Sequence, residues 1–96
     1  MNSLVYSEVF SAWLKRLRDQ KGKGRILARL RSATFGNLGD CEFVGEGVFE
    51  MRIHFGAGYR VYYTQRGPEV YLLLVGGDKG TQKRDISKAI GMARRV

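Results

Sequence analysis

Val48-Phe49-Glu50-Met51-Arg52-Ile53-His54-Phe55-Gly56-Ala57-Gly58-Tyr59-Arg60-Val61-Tyr62-Tyr63-Thr64-Gln65 is the stretch on which the fold turns. Its first half alternates: Phe49, Met51, Ile53 and Phe55 fall on one face and Glu50, Arg52 and His54 on the other, the period of a half-buried strand. Gly56-Ala57-Gly58 reads as a three-residue hairpin loop, and Tyr59 to Gln65 as the return strand. Counting outward from that loop pairs Phe55 with Tyr59, Ile53 with Val61 and Met51 with Tyr63 on an apolar face. The opposite face then pairs His54 with Arg60, Arg52 with Tyr62, and Glu50 with Thr64.

Downstream, Gly67-Pro68 predicts a second tight turn and Glu69 to Val75 the next strand. This register puts Leu72 and Leu74 on the core face, and Tyr71, Leu73 and Val75 beside Thr64, Tyr62 and Arg60. The glycines at 76, 77 and 80 break the strand, and extended parity sets Lys79 on the Arg60 side. A final helix is expected from about Gln82 to Arg94, capped by Thr81, with Ile86, Ala89, Ile90 and Ala93 as its apolar positions.

Upstream, Asn2 to Tyr6 reads as a short strand and Ser7 as a helix cap. Phe10, Trp13, Leu14 and Leu17 form one helical stripe, and Asp19 ends that helix and can cap the next. Ile26, Leu27, Leu30 and Ala33 stripe a second helix from about Lys21 to Thr34. Gly22 and Gly24, at about 1 kcal/mol each relative to Ala, predict a frayed first turn. A short strand near Cys41 to Gly45 completes the order β-α-α-β-β-β-β-α. The expectation is an α+β fold, an antiparallel meander packed by two N-terminal helices and a C-terminal helix, with residues 1–96 as a single domain.

The chain has 96 residues and a net charge of +8. Residues 1–40 carry +5, residues 41–76 carry −1 and residues 77–96 carry +4. Basic ends flanking a near-neutral middle point to a polyanionic partner, or equally to well-solvated helix surfaces. One cysteine, Cys41, excludes an internal disulfide, and one Cys with one His cannot build a structural zinc site. No apolar run approaches the ~20 residues of a membrane span, and the first residues lack the features of a signal peptide. A cytoplasmic protein with no membrane association is expected.

One sheet face thus collects Arg52, His54, Arg60, Tyr62 and Lys79. Cations can hold phosphates, a phenol can stack a base, and an imidazole can move a proton near neutral pH. Scattered solvated polar groups, with Glu50 paired to Arg52, would give the same pattern. No Walker loop, dinucleotide fingerprint or nucleophile elbow is present.

Phe35-Gly36-Asn37-Leu38-Gly39-Asp40, Glu50-Met51-Arg52-Ile53, Gly56-Ala57-Gly58-Tyr59-Arg60-Val61-Tyr62-Tyr63 and Gly76-Gly77-Asp78-Lys79-Gly80-Thr81-Gln82 together resemble the RelE/ParE toxin superfamily. The likeness is greatest to its HigB-like addiction-module killer branch, related to phage Gp49-like proteins. The resemblance implies the toxin of a type II toxin–antitoxin pair, cleaving mRNA on the ribosome. In that chemistry the RNA 2′-OH attacks the adjacent phosphate, without cofactor or metal. Arg60, Arg52 and Lys79 match the family's basic positions, with His54 a proton carrier by placement. Tyr62, Gln82, Lys83, Arg29 and Lys23 are expected to contact RNA. The implied partners are a cognate helix-turn-helix antitoxin, the ribosome with its mRNA, and a toxin–antitoxin hetero-oligomer on operator DNA. The chain departs from several relatives in having no Tyr after Tyr71 and no His after His54, which leaves the general base unassigned. The ParE branch poisons gyrase by docking, and a degenerate toxin would keep only antitoxin binding. These remain the alternatives to nuclease activity.

Overall fold

The computed structural model describes all of residues 1–96. The elements are β1 (Ser3–Tyr6), α1 (Glu8–Arg16), α2 (Gln20–Thr34), β2 (Cys41–Gly45), β3 (Val48–Ile53), β4 (Tyr59–Gly67), β5 (Val70–Gly77) and α3 (Gln82–Arg94), with a 3-10 turn at Lys79–Thr81 leading into α3. This is the expected α+β order. The sheet runs β1-β5-β4-β3-β2. Strands β2 to β5 form the antiparallel meander, and β1 returns along the edge of β5 in parallel.

Two apolar layers flank the sheet. Phe10 of α1 and Ile26, Leu30 and Ala33 of α2 cover one face, against Met51, Ile53, Tyr59, Val61, Tyr63 and Leu73. α3 covers the other, where Ala89 meets Val48, Tyr62, Leu74 and Val75. The face expected to present an open site is therefore largely roofed by α3.

Both hairpins differ from the expected register. The β3–β4 connection has five residues rather than three, since Ile53 pairs with Tyr59, Arg52 with Arg60, and Glu50 with Tyr62. A shift of two preserves the faces, so the division into an apolar and a polar side stands. The β4–β5 turn lies one residue later than expected, with Gly67 opposite Val70. A one-residue slip flips side chains across the sheet: Tyr71 and Leu73 join the α1/α2 side, and Leu72 joins the α3 side. A bulge between Tyr62 and Tyr63 then leaves Leu74 without a partner on β4 and sets Val75 opposite Tyr62 rather than beside Arg60, on the face expected for it.

Of the glycines expected to break β5, Gly76 and Gly77 lie inside it and Gly80 falls in the 3-10 turn beyond. A β-carbon at Gly76 would sit 2.1 Å from the Trp13 ring, and one at Gly77 would sit 1.9 Å from Asp85 Oδ2. These residues let α1 and α3 approach the strand from opposite faces. The start of α2 is tied down rather than frayed. Asp19 accepts from Gly22 N at 3.0 Å and from Tyr59 Oη at 2.7 Å. A β-carbon at Gly22 would meet the Tyr59 ring at 2.5 Å.

Candidate functional site

At the end of the β3–β4 hairpin, His54, Gly56, Ala57, Gly58, Arg60 and Lys79 line a cleft of about 390 Å³. The hairpin closes on itself through Gly58 N to Phe55 O at 3.0 Å, and Lys79 N donates to Ala57 O at 3.4 Å, seating the lysine beside the loop. Lys79 is exposed and makes no ion pair. His54 is exposed at 69% of its side chain, and its Nε2 lies 2.6 Å from Asp40 Oδ2. That contact leaves Nδ1 as the ring nitrogen with no partner in the chain. The His54 bond, and after it the Arg52 guanidinium, hold the Asp40 carboxyl below its usual range.

Beneath the cleft lies a buried polar network. Arg60 is only 7% exposed and Glu50 is fully buried. Arg60 Nη1 donates to the carbonyls of Gly58 at 2.9 Å and Tyr59 at 3.3 Å, while its Nε lies 3.8 Å from Glu50 Oε1. Glu50 Oε2 accepts from Tyr62 Oη at 2.9 Å and Gln82 Nε2 at 2.7 Å. Burial, and after it the Glu50 bond, push the Tyr62 phenol far above its ordinary value. Asp85, also buried, accepts from Thr81 Oγ1 at 2.6 Å. The network fastens α3 and the 3-10 turn to the sheet, and so fixes where Lys79 stands relative to Arg60.

Four of the expected site residues are engaged elsewhere. Tyr62 has no exposed surface, so no base can stack on it. Gln82 is spent on Glu50. Arg29 donates to the carbonyls of Arg52, Leu38 and Asp40, bracing the loop that carries Asp40. Arg52 does not join the cleft: it pairs with Asp40 at 3.1 Å and Glu42 at 3.2 Å, so the pairing with Glu50 weighed from the sequence is replaced by these two. A long side chain on a strand reaches past its own neighbour to a carboxylate on the next strand, and sequence spacing does not show this.

The match to known families covers most of the chain. Residues 12–95 fit the model described as Phage derived protein Gp49-like (DUF891). The chain belongs to this family. A Haemophilus influenzae protein carried under the name "Uncharacterized protein" is 42% identical over 87 residues, covering 91% of this chain and 88% of its own. No solved structure matches the chain.

In this Gp49-like protein, Lys83 stands apart from the cleft, exposed beside Gly80, Thr81, Arg84 and Ser87 at the start of α3. Lys23 is half-buried on α2 and does not line the cleft. Nothing in the sequence marks Asp40 and Glu50 as site residues. Glu50 sits directly opposite Tyr62, a pairing that only the five-residue loop produces. Asp40 reaches His54 across a loop for which sequence offers no register. The largest concavity, about 600 Å³ between β1 and α2, is lined by Leu4, Tyr6, Leu27, Leu30 and Arg31 and holds no carboxylate or imidazole. No three His, Cys, Asp or Glu side chains are grouped to hold a metal ion, and no helix is long and apolar enough to cross a membrane.

Proposed function

We propose that this Gp49-like protein is the toxin of a type II toxin–antitoxin system, acting as a ribosome-dependent mRNA endoribonuclease of the RelE/ParE kind, nearest its HigB-like branch. The observation that carries the reading is the cleft where Arg60, Lys79 and His54 meet around the 54–58 hairpin. In-line attack by a ribose 2′-oxygen on the adjacent phosphorus breaks the bond to the 5′-oxygen. The products are a 2′,3′-cyclic phosphate and a 5′-hydroxyl. The step needs cations for the phosphorane oxygens, a group that removes the 2′-proton and one that delivers a proton to the leaving oxygen. Lys79 and the accessible part of Arg60 serve the oxygens. His54 presents Nδ1 for one proton transfer, with Asp40 as the positioning carboxylate. A cognate antitoxin with an acidic contact surface is the proposed inhibitor of this basic chain.

Induction in cells followed by mapping of mRNA 5′ ends tests the reading. Cuts positioned by the reading frame are expected. Intact mRNA with a DNA-damage response would assign the chain to gyrase inhibition instead. Lys79→Ala and His54→Ala should each relieve growth arrest with little change in thermal stability, because neither side chain is buried and the His54–Asp40 pair is solvent-exposed. Full arrest in both variants would remove the cleft from the mechanism.

A further inference from the structure

The cleft does not end at His54. Three concavities lie in series along the hairpin and the exposed side of α2. The first, about 390 Å³, holds Arg60 and Lys79. The second, about 270 Å³, is bounded by Arg25, Arg29 and Ser32. The third, about 510 Å³, is bounded by Lys21, Gly24 and Arg25. His54 and Phe55 line both the first and the second, and Arg25 and Phe55 line both the second and the third. The walls are thus shared, and the three form one furrow. No Asp or Glu lines any part of it, whereas cations line all of it.

The middle of this furrow has a feature that simple charge does not call for. Arg25 holds its guanidinium 4.6 Å from the centre of the Phe55 ring. The arginine is exposed and the ring half-buried, so the guanidinium rests on an apolar support with its far side toward solvent. Lys21 stands one helical turn earlier, at i−4, on the same side of α2. A planar cation backed by an aromatic ring is a platform for an unstacked base, and flanking cations suit the phosphates on either side. A duplex keeps its bases stacked inside and could not use such a platform, and the carboxylates of an acidic peptide would engage the cations without needing the ring behind Arg25.

We infer that this furrow is a track for single-stranded RNA, in which the Arg25–Phe55 pair forms a nucleotide subsite adjoining the phosphate position at Arg60 and Lys79, with His54 at the junction. The inference deepens the proposed nuclease reading by giving the course of the strand, and it rests on that reading for the identity of the cleaved phosphate. Binding to the furrow stands on its own chemistry.

Fluorescence anisotropy of a labelled single-stranded RNA of about ten nucleotides at about 50 mM salt tests it. Arg25→Glu is expected to weaken binding about tenfold and to lower the salt slope, because it removes the platform and sets a negative charge beside the flanking phosphates. Lys88→Glu and Arg95→Glu, exposed on or just beyond α3, make the same change in net charge and are expected to alter binding less than about twofold. Phe55→Leu should weaken binding several-fold with the salt slope unchanged, since it removes a stacking support and no charge. Melting curves confirm that each variant is folded. Equal losses for Arg25→Glu and the α3 controls would overturn the track, as would no binding by the parent chain. Competition by poly-glutamate as effective as competition by RNA would also overturn it, marking an acidic-protein surface. A chain that binds in this pattern and never cuts RNA keeps the track and loses the nuclease. A chain that cuts equally well with Arg25→Glu and Phe55→Leu keeps the nuclease and loses the track.

Discussion

Glu50 is a carboxylate with no exposed surface, and its neighbours show what keeps it there: the Tyr62 hydroxyl, the Gln82 amide and the Arg60 guanidinium. Removing one member of a buried ion pair strands the other, at a cost of about 3–5 kcal/mol. Arg60→Ala is thus expected to melt the fold as well as the activity. It cannot test catalysis by itself, whereas Lys79→Ala and His54→Ala can. Tyr62→Phe removes one bond to the same carboxylate and should cost about 1–3 kcal/mol in urea unfolding, with no direct effect on RNA contact. A loss of RNA binding in folded Tyr62→Phe would mean that the phenol is reached by substrate after all. Asp40→Asn is expected to slow single-turnover cleavage without weakening binding, because Asp40 touches His54 and lies outside the cleft lining.

At the scale of elements, the corner joining α2 to the hairpin depends on the Tyr59–Asp19 bond, and its pH dependence can be worked out. Burial, and after it the bond to Asp19, push the Tyr59 phenol up to about 12 from its ordinary 10.0. A raised pKa gives stability that is complete below pH 10 and is lost as pH rises from there toward 12. Asp19 is held below its ordinary 3.8 by the Gly22 backbone bond and then by Tyr59. A lowered pKa gives stability that is present above pH 4 and is lost as pH falls below it. Melting temperatures should fall on both sides, and Tyr59→Phe should flatten the alkaline arm. An unchanged alkaline arm in that variant would mean the bond contributes nothing. Most elements could be read from hydrophobic period, because alternation and helical stripes are set by which side chains the core takes. Registers could not. The five-residue loop at 54–58 and the bulge at Leu74 leave no mark in hydrophobic period, and the contacts around them come from distant parts of the chain: Trp13 and Asp85 pack on Gly76 and Gly77, and Asp19 and Lys79 on the loop glycines. The same separation explains the site: parity alone puts His54, Arg60 and Lys79 on one side. Asp40 and Glu50, and the burial of Tyr62, depended on contacts more than ten residues apart in sequence.

For the whole molecule, the net charge of +8 is unevenly placed. Cations crowd α2, the 3-10 turn and α3, while most of the acids are paired: Glu46 with Arg94, Glu42 and Asp40 with Arg52, Glu50 with Arg60, Asp85 with Arg84 and Glu69 with the N-terminal amine. What stays unpaired along the furrow is positive, which fits a polyanion lying across the hairpin. The measurement that tests the central claim most directly is the chemistry of the RNA ends produced by the purified chain on ribosomes carrying a defined mRNA. The account predicts a 2′,3′-cyclic phosphate upstream of the cut and a 5′-hydroxyl downstream, both lost in the Lys79→Ala and His54→Ala variants. Uncut mRNA, or a downstream fragment bearing a 5′-phosphate, would contradict it.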